Sequence, residues 1–247
     1  MPKEPKPRAK TNSKDGDKVT RNLVIGMVAL VGTLLIVGSI WNQSSSDEAA
    51  PSPSAIEKIE PAAAGNELTP EVLPESDYAI VYNKSASPKI DIWEDFQCPF
   101  CGQFEKSMGS YLEKLIRNNE AQVGYHMVSF LGPESIRAAN AAYCAVPEGR
   151  FLEFHKSLYD IQGAENSGLF SNENLIQVGQ KLGITSAEFE SCVNGGSNNE
   201  FVTKVADSMS KYKVDSTPTV FINGTLWRPS SNTFNVDEFI AAVEAAK

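Results

Sequence analysis

Trp93-Glu-Asp-Phe-Gln-Cys-Pro-Phe-Cys101 is the stretch on which the reading of this chain turns, because it carries an apolar run straight into a helix start. Upstream, Lys89-Ile90-Asp91-Ile92-Trp93 and the alternating Ala79-Ile80-Val81-Tyr82 read as short strands. Downstream, Phe100, Phe104, Met108, Tyr111, Leu112 and Leu115 recur at helical spacing until Asn118-Asn119. Pro99 suits the first turn of that helix, where a missing N–H costs nothing. Val123 to Phe130 reads as a further strand, and residues 133–197 switch to helical periodicity, broken at Pro147-Glu-Gly149 and from Gly163 to Asn172. A helix over Glu200 to Lys211, a strand over Thr217 to Gly224 and an amphipathic helix over Val236 to Ala246 complete the chain. The order predicts an α/β fold in which a helical insertion of about 132–197 separates two halves of one sheet.

Two residues between Cys98 and Cys101 place the thiols within disulfide reach, and the helix N-terminus favours a thiolate on the first of them. Cys98 is then the accessible nucleophile and Cys101, one turn inside, the shielded thiol that resolves a mixed disulfide. The same motif can be half a zinc site. Zinc takes about four ligands, whereas Cys144 and Cys192 are isolated and His126 and His155 stand at no ligand spacing, so no metal is expected. Both histidines read as structural. Asp91, Glu94 and Asp95 lie near the motif and read as surface or turn residues. Cys144 and Cys192 can be two buried free thiols or a bonded pair.

Composition narrows the rest. The 247 residues carry 22 Lys/Arg against 31 Asp/Glu, a net charge of −9, which disfavours a nucleic-acid partner. The charge is divided unevenly: residues 1–22 are net +4, residues 42–77 net −7 and residues 78–247 net −6. Leu23 to Trp41 is a run of 19 uncharged residues. As a helix it spans about 28 Å, near the thickness of a bilayer's hydrocarbon core. A cleaved signal peptide usually has a shorter apolar region of about 7–15 residues and ends in a small-residue cleavage site that is missing here. Residues 23–41 are therefore expected as a lipid-embedded anchor, with the basic head 1–22 cytoplasmic and the remainder extracytoplasmic. Residues 42–77, rich in Ser, Pro, Ala and Glu, read as a disordered linker. The folded domain is expected over 78–247.

With these residues in hand, a family resemblance can be stated. The 93–101 stretch, Ala141-Ala-Tyr-Cys-Ala145, Phe151-Leu-Glu-Phe-His-Lys-Ser-Leu-Tyr159 and Ser216-Thr-Pro-Thr-Val-Phe-Ile-Asn-Gly224 together resemble the DsbA-like thiol–disulfide oxidoreductases. The resemblance covers nearly all of 78–247. It implies a thioredoxin fold interrupted by a helical domain, with Pro218 in cis facing the active cysteines and Thr217 presenting backbone groups to a bound peptide. It also implies a structural disulfide between Cys144 and Cys192, as in some Gram-positive relatives. The site so implied comprises catalytic Cys98 and Cys101, with Pro99, Phe100, Thr217 and Pro218 around them. The sequence departs from the strong oxidases of the family at Phe100, where they have His, and at Ile92, where they have a buried glutamate. The expected activity is oxidation of cysteine pairs in secreted or surface proteins without a cofactor, with electrons leaving to a membrane quinone reductase of the DsbB or VKOR kind. The alternatives are a reductase or isomerase using the same cysteines, and a non-catalytic peptide-binding module.

Overall fold

The structure is a computed structural model that describes residues 55–63, 65 and 67–247. The expected head and the apolar run at 23–41 lie outside the described residues. Among the described residues no helix is long and apolar enough to cross a membrane. Six strands form one mixed sheet: β1 (Glu71–Leu73), β2 (Ala79–Tyr82), β3 (Lys89–Glu94), β4 (Gln122–Met127), β5 (Thr219–Ile222) and β6 (Thr225–Trp227), in the spatial order β1-β2-β4-β3-β5-β6. The two central strands, β3 and β4, run parallel, Ile92 facing Tyr125, and are joined by helix α1 (Pro99–Arg117). All other neighbours pair antiparallel.

Helix α1 buries Phe104, Met108, Leu112 and Leu115, all without exposed surface, which is the i, i+4, i+8, i+11 stripe of its sequence. Each such side chain contributes roughly 1.5–3 kcal/mol on leaving water. Between β4 and α6 (Asn199–Tyr212) lie four helices: α2 (Pro133–Cys144), α3 (Phe151–Asp160), α4 (Asn172–Lys181) and α5 (Ala187–Gly195). Helix α7 (Val236–Glu244) closes the chain over α1, where Phe239 meets Phe104 edge-on. This is the thioredoxin-like α/β arrangement, with helices inserted in its middle.

The structure differs from the sequence expectations in three places. The linker expected over 42–77 gives way to structure well before its end: Ile56 is 2% exposed in the core, and Glu71–Leu73 pairs with β2 as an edge strand. A single buried side chain, Leu73, and backbone pairing suffice there, so composition carried no signal. Strand β4 ends at Met127 rather than Phe130, because the amides of Phe130 and Leu131 turn to donate to the Asp95 carboxylate at 3.0 and 3.2 Å. The turn at Asn223-Gly224, where the expected strand ends, leads into a sixth strand.

Candidate active site

Cys98 caps α1, Pro99 opens its first turn, and Cys101 lies one turn in. The two thiols are free. Cys98 keeps 6% of its surface and Cys101 none, so both are buried and the first is more enclosed than the accessible thiol expected. The enclosure comes from the Thr217-Pro218 turn, whose peptide bond is cis. The Cys98 thiol donates to the Thr217 carbonyl at 3.4 Å. Phe100 projects into solvent at 60% exposure.

The sulfurs are electrostatically unequal. A hydrogen bond from the Cys101 thiol is the largest of the effects that bring Cys98 down to about 6, against the opposing effect of burial; Thr217 and the amides of Cys101 and Phe100 add to the lowering. The Thr217 hydroxyl has no partner while Cys98 is a thiol, and is therefore available to the thiolate. Burial pushes Cys101 well above the ordinary thiol value, and the charges of Cys98 and Glu94 push the same way. A stabilised outer thiolate beside a dry inner thiol is the electrostatic pattern of a nucleophile and its resolving partner.

The three carboxylates expected on the surface are all buried. Strand β3 is covered on both faces, so alternation along it does not separate inside from outside. Asp95 is a hub: it accepts from Ser135 at 2.6 Å, from the Gln97 amide at 2.9 Å and from the Phe130 and Leu131 amides. Gln97 carries the tie onward to Ser135 and to the Asn166 amide. Asp91 meets His126 Nε2 at 3.3 Å, and His126 stacks on Trp93 at 3.7 Å. Gln162, which the sequence did not single out, donates to the carbonyls of Phe96 at 2.6 Å and Cys98 at 3.0 Å. These bonds fix the loop that presents Cys98.

Glu94 has no exposed surface, and the place of the expected family glutamate, Ile92, is plain core. Glu94 Oε1 meets His155 Nε2 at 2.8 Å, and the other ring nitrogen lies 3.9 Å from Glu105 on α1. Burial raises Glu94 well above the usual carboxylate range; Tyr159 acts in the opposite sense, although its hydroxyl makes no regular hydrogen bond. Glu105 is pushed up to about 8 by burial and then by Glu94, while burial lowers His155. His155 is legible in the sequence as a buried helix residue, since it shares a face of α3 with Phe151 and Phe154. Its partners, 61 residues upstream on β3 and 50 residues upstream on α1, are not.

Cys144 and Cys192 are joined by a disulfide, 48 residues apart, between the end of α2 and α5. Asn198 Nδ2 lies 3.4 and 3.2 Å from the two sulfurs, and Asn140 donates to the Cys192 carbonyl. The bond lies among the inserted helices and belongs to no part of the thiol pair's hydrogen bonding.

A family model described as Thioredoxin matches residues 77–244. Among solved structures, the chain is similar to reduced DsbA from Mycobacterium tuberculosis, at 28% identity and a TM-score of 0.58, covering 68% of this chain and 91% of that one. Among curated proteins it is 26% identical to serine/threonine-protein kinase PknE of Mycobacterium tuberculosis, over 59% of this chain and only 28% of that one, so it spans little more than a quarter of that relative's length. It is 25% identical to the thiol:disulfide interchange protein DsbA of Haemophilus influenzae, over 68% of this chain and 82% of that one. With the thiol pair at the head of α1 and these similarities together, the chain belongs to the thioredoxin family and is DsbA-like within it.

Proposed function

We propose that the protein is an extracytoplasmic disulfide donor, oxidising cysteine pairs in secreted or surface proteins. The observation that carries this reading is the unequal thiol pair, with Cys98 at about 6 and Cys101 held far higher. A stabilised thiolate favours the reduced form of the enzyme, and a pair that prefers to be reduced is an oxidant towards other thiols. In the proposed cycle a substrate thiolate attacks Cys98 Sγ of the closed disulfide, and Cys101 leaves as a thiolate that takes up a proton. A second substrate thiolate then attacks the substrate sulfur of the mixed disulfide. Cys98 leaves as the stabilised thiolate, the substrate disulfide forms, and the enzyme holds two electrons. A membrane quinone reductase of the DsbB or VKOR kind would remove them. Pro99 starts the helix that supports Cys98, exposed Phe100 offers an apolar contact to an unfolded substrate, and Thr217 with Pro218 offers backbone groups to its chain. The Cys144–Cys192 bond stabilises the inserted helices.

In the same reading residues 1–22 are a cytoplasmic head, residues 23–41 a single bilayer anchor and the segment that follows a tether. The support is the 19-residue uncharged run after seven Lys/Arg. Protease added to wall-stripped cells should digest 78–247 and spare the head; release of the whole domain with a new N-terminus near residue 45 would contradict the anchor. For the chemistry, the oxidised protein mixed with a reduced, unfolded protein should transfer its disulfide stoichiometrically. Failure to do so, with efficient reduction of insulin instead, would make it a reductase.

A further inference from the structure

We infer that Glu94, Glu105 and His155 form a binding site for one divalent transition-metal cation of the zinc class. The sequence expectation of no metal rested on the spacing of cysteines and histidines. The fold instead collects an imidazole and two carboxylates from three elements, β3, α1 and α3, with one ligand atom from each lying within 4.8 Å of the others. Three polar atoms in this one place have no hydrogen-bond partner: Glu94 Oε2, Glu105 Oε1 and the Tyr159 hydroxyl. More than about nine in ten buried polar groups are satisfied, so three orphans together point to an absent species. Glu94 is wholly buried and the Glu105 side chain is only 8% exposed. His155 reaches one oxygen of each, Glu94 at 2.8 Å and Glu105 at 3.9 Å, which leaves the second oxygen of both buried carboxyl groups open. The nearby Lys156 ammonium is paired with Asp160, on the surface.

A doubly charged ion would occupy the open lone pairs of both carboxyl groups. Imidazole with carboxylate suits zinc-class ions, whereas calcium takes six to eight oxygens. Three protein ligands leave one coordination position for water. A cavity of about 480 Å³, lined among others by Gly102, Glu105, Tyr125, His155 and Tyr159, gives the ion and its water a way in. The donor atoms must draw together slightly, since zinc–carboxylate and zinc–imidazole bonds are about 2.0–2.2 Å.

The test uses untagged, chelator-treated protein with Cys98 and Cys101 closed as a disulfide, so that no thiol can ligate and no redox turnover is involved. Calorimetric titration with zinc chloride should show one ion per chain, and Glu105→Gln and His155→Gln should each weaken binding at least tenfold. Glu153→Gln, at the same cavity but outside the three ligands, should bind as the parent does. Because zinc that binds only the folded form raises the melting temperature, the parent should melt higher with zinc and a folded Glu105→Gln should not. Absence of a saturable site in the parent, retained affinity in Glu105→Gln, or loss confined to Glu153→Gln would overturn the assignment. A melting temperature indifferent to zinc in the parent would do so even if both ligand variants failed to fold.

Discussion

Cys98 and Cys101 stand three positions apart at the head of one helix, whereas Cys144 and Cys192 lie 48 residues apart and tie two helices together. The first pair sits where amides, a neighbouring thiol and Thr217 favour a thiolate, over a polar cluster of Glu94, Glu105 and His155. The second sits among side chains and has asparagine amides for company. Identical atoms thus stand in two different settings. What differs is whether the surroundings stabilise one sulfur's charge in the reduced state, which makes a bond reversible, or simply hold two helices at a fixed distance.

The comparison breaks most decisively if the first pair is not asymmetric. Cys98→Ser should abolish mixed disulfides and reduce thiol–disulfide exchange by at least about 1000-fold, because the stabilised nucleophile is gone. Cys101→Ser should instead accumulate adducts through Cys98, visible by non-reducing electrophoresis. Adducts from Cys98→Ser alone would reverse the roles. The second pair gives the next largest effect, on stability. Replacing both Cys144 and Cys192 by Ser should cost up to about 4 kcal/mol, the loop-closure value for roughly 49 residues, while leaving the Cys98 alkylation rate unchanged. A denaturant titration and an alkylation assay on the same variant check both halves.

Much of the first pair was legible in the sequence and little of its setting. The Cys-Pro-Phe-Cys motif, the helix it opens and strand β3 follow from local pattern, since Pro99 and the Phe104–Leu115 stripe speak for themselves. The burial of Glu94 did not, because a strand covered on both faces shows no alternation. Strand β1 is three residues long in a Pro- and Glu-rich segment, too short to outweigh its composition. Strand β6 follows a hairpin signal, Asn223-Gly224 between apolar residues, but is itself only the three residues Thr225–Trp227, too short to stand out. Gln162 acts through two long-range carbonyl contacts that no local pattern encodes.

Smaller effects sharpen the comparison at the first pair. Gln162→Ala leaves the Phe96 and Cys98 carbonyls without that donor and should cost about 1–2 kcal/mol, measured by denaturant unfolding of the reduced protein. The pH dependence has a definite sign. Cys98 at about 6 lies below the unperturbed value of 9.0, so its thiolate stabilises the reduced fold fully above about pH 9, by roughly 1 kcal/mol at pH 7, and the contribution vanishes as pH falls through 6. The oxidised protein should lack this dependence, and so should Cys98→Ser. Phe100→His places a cation beside Cys98 but in solvent, at a side chain 60% exposed, so it should lower the Cys98 value only by a few tenths of a unit. Iodoacetamide rates against pH resolve that difference.

The central claim, that the environment of Cys98 makes this pair a donor of disulfides, is tested most directly by its reduction potential. Equilibrating the protein with reduced and oxidised glutathione at pH 7 and counting free thiols at Cys98 and Cys101 should give a value well above the roughly −270 mV of thioredoxin, at about −200 mV or higher. A value near −270 mV or lower, with Cys98 still titrating near 6, would show that the thiolate does not set the direction of electron flow and would make the protein a reductase.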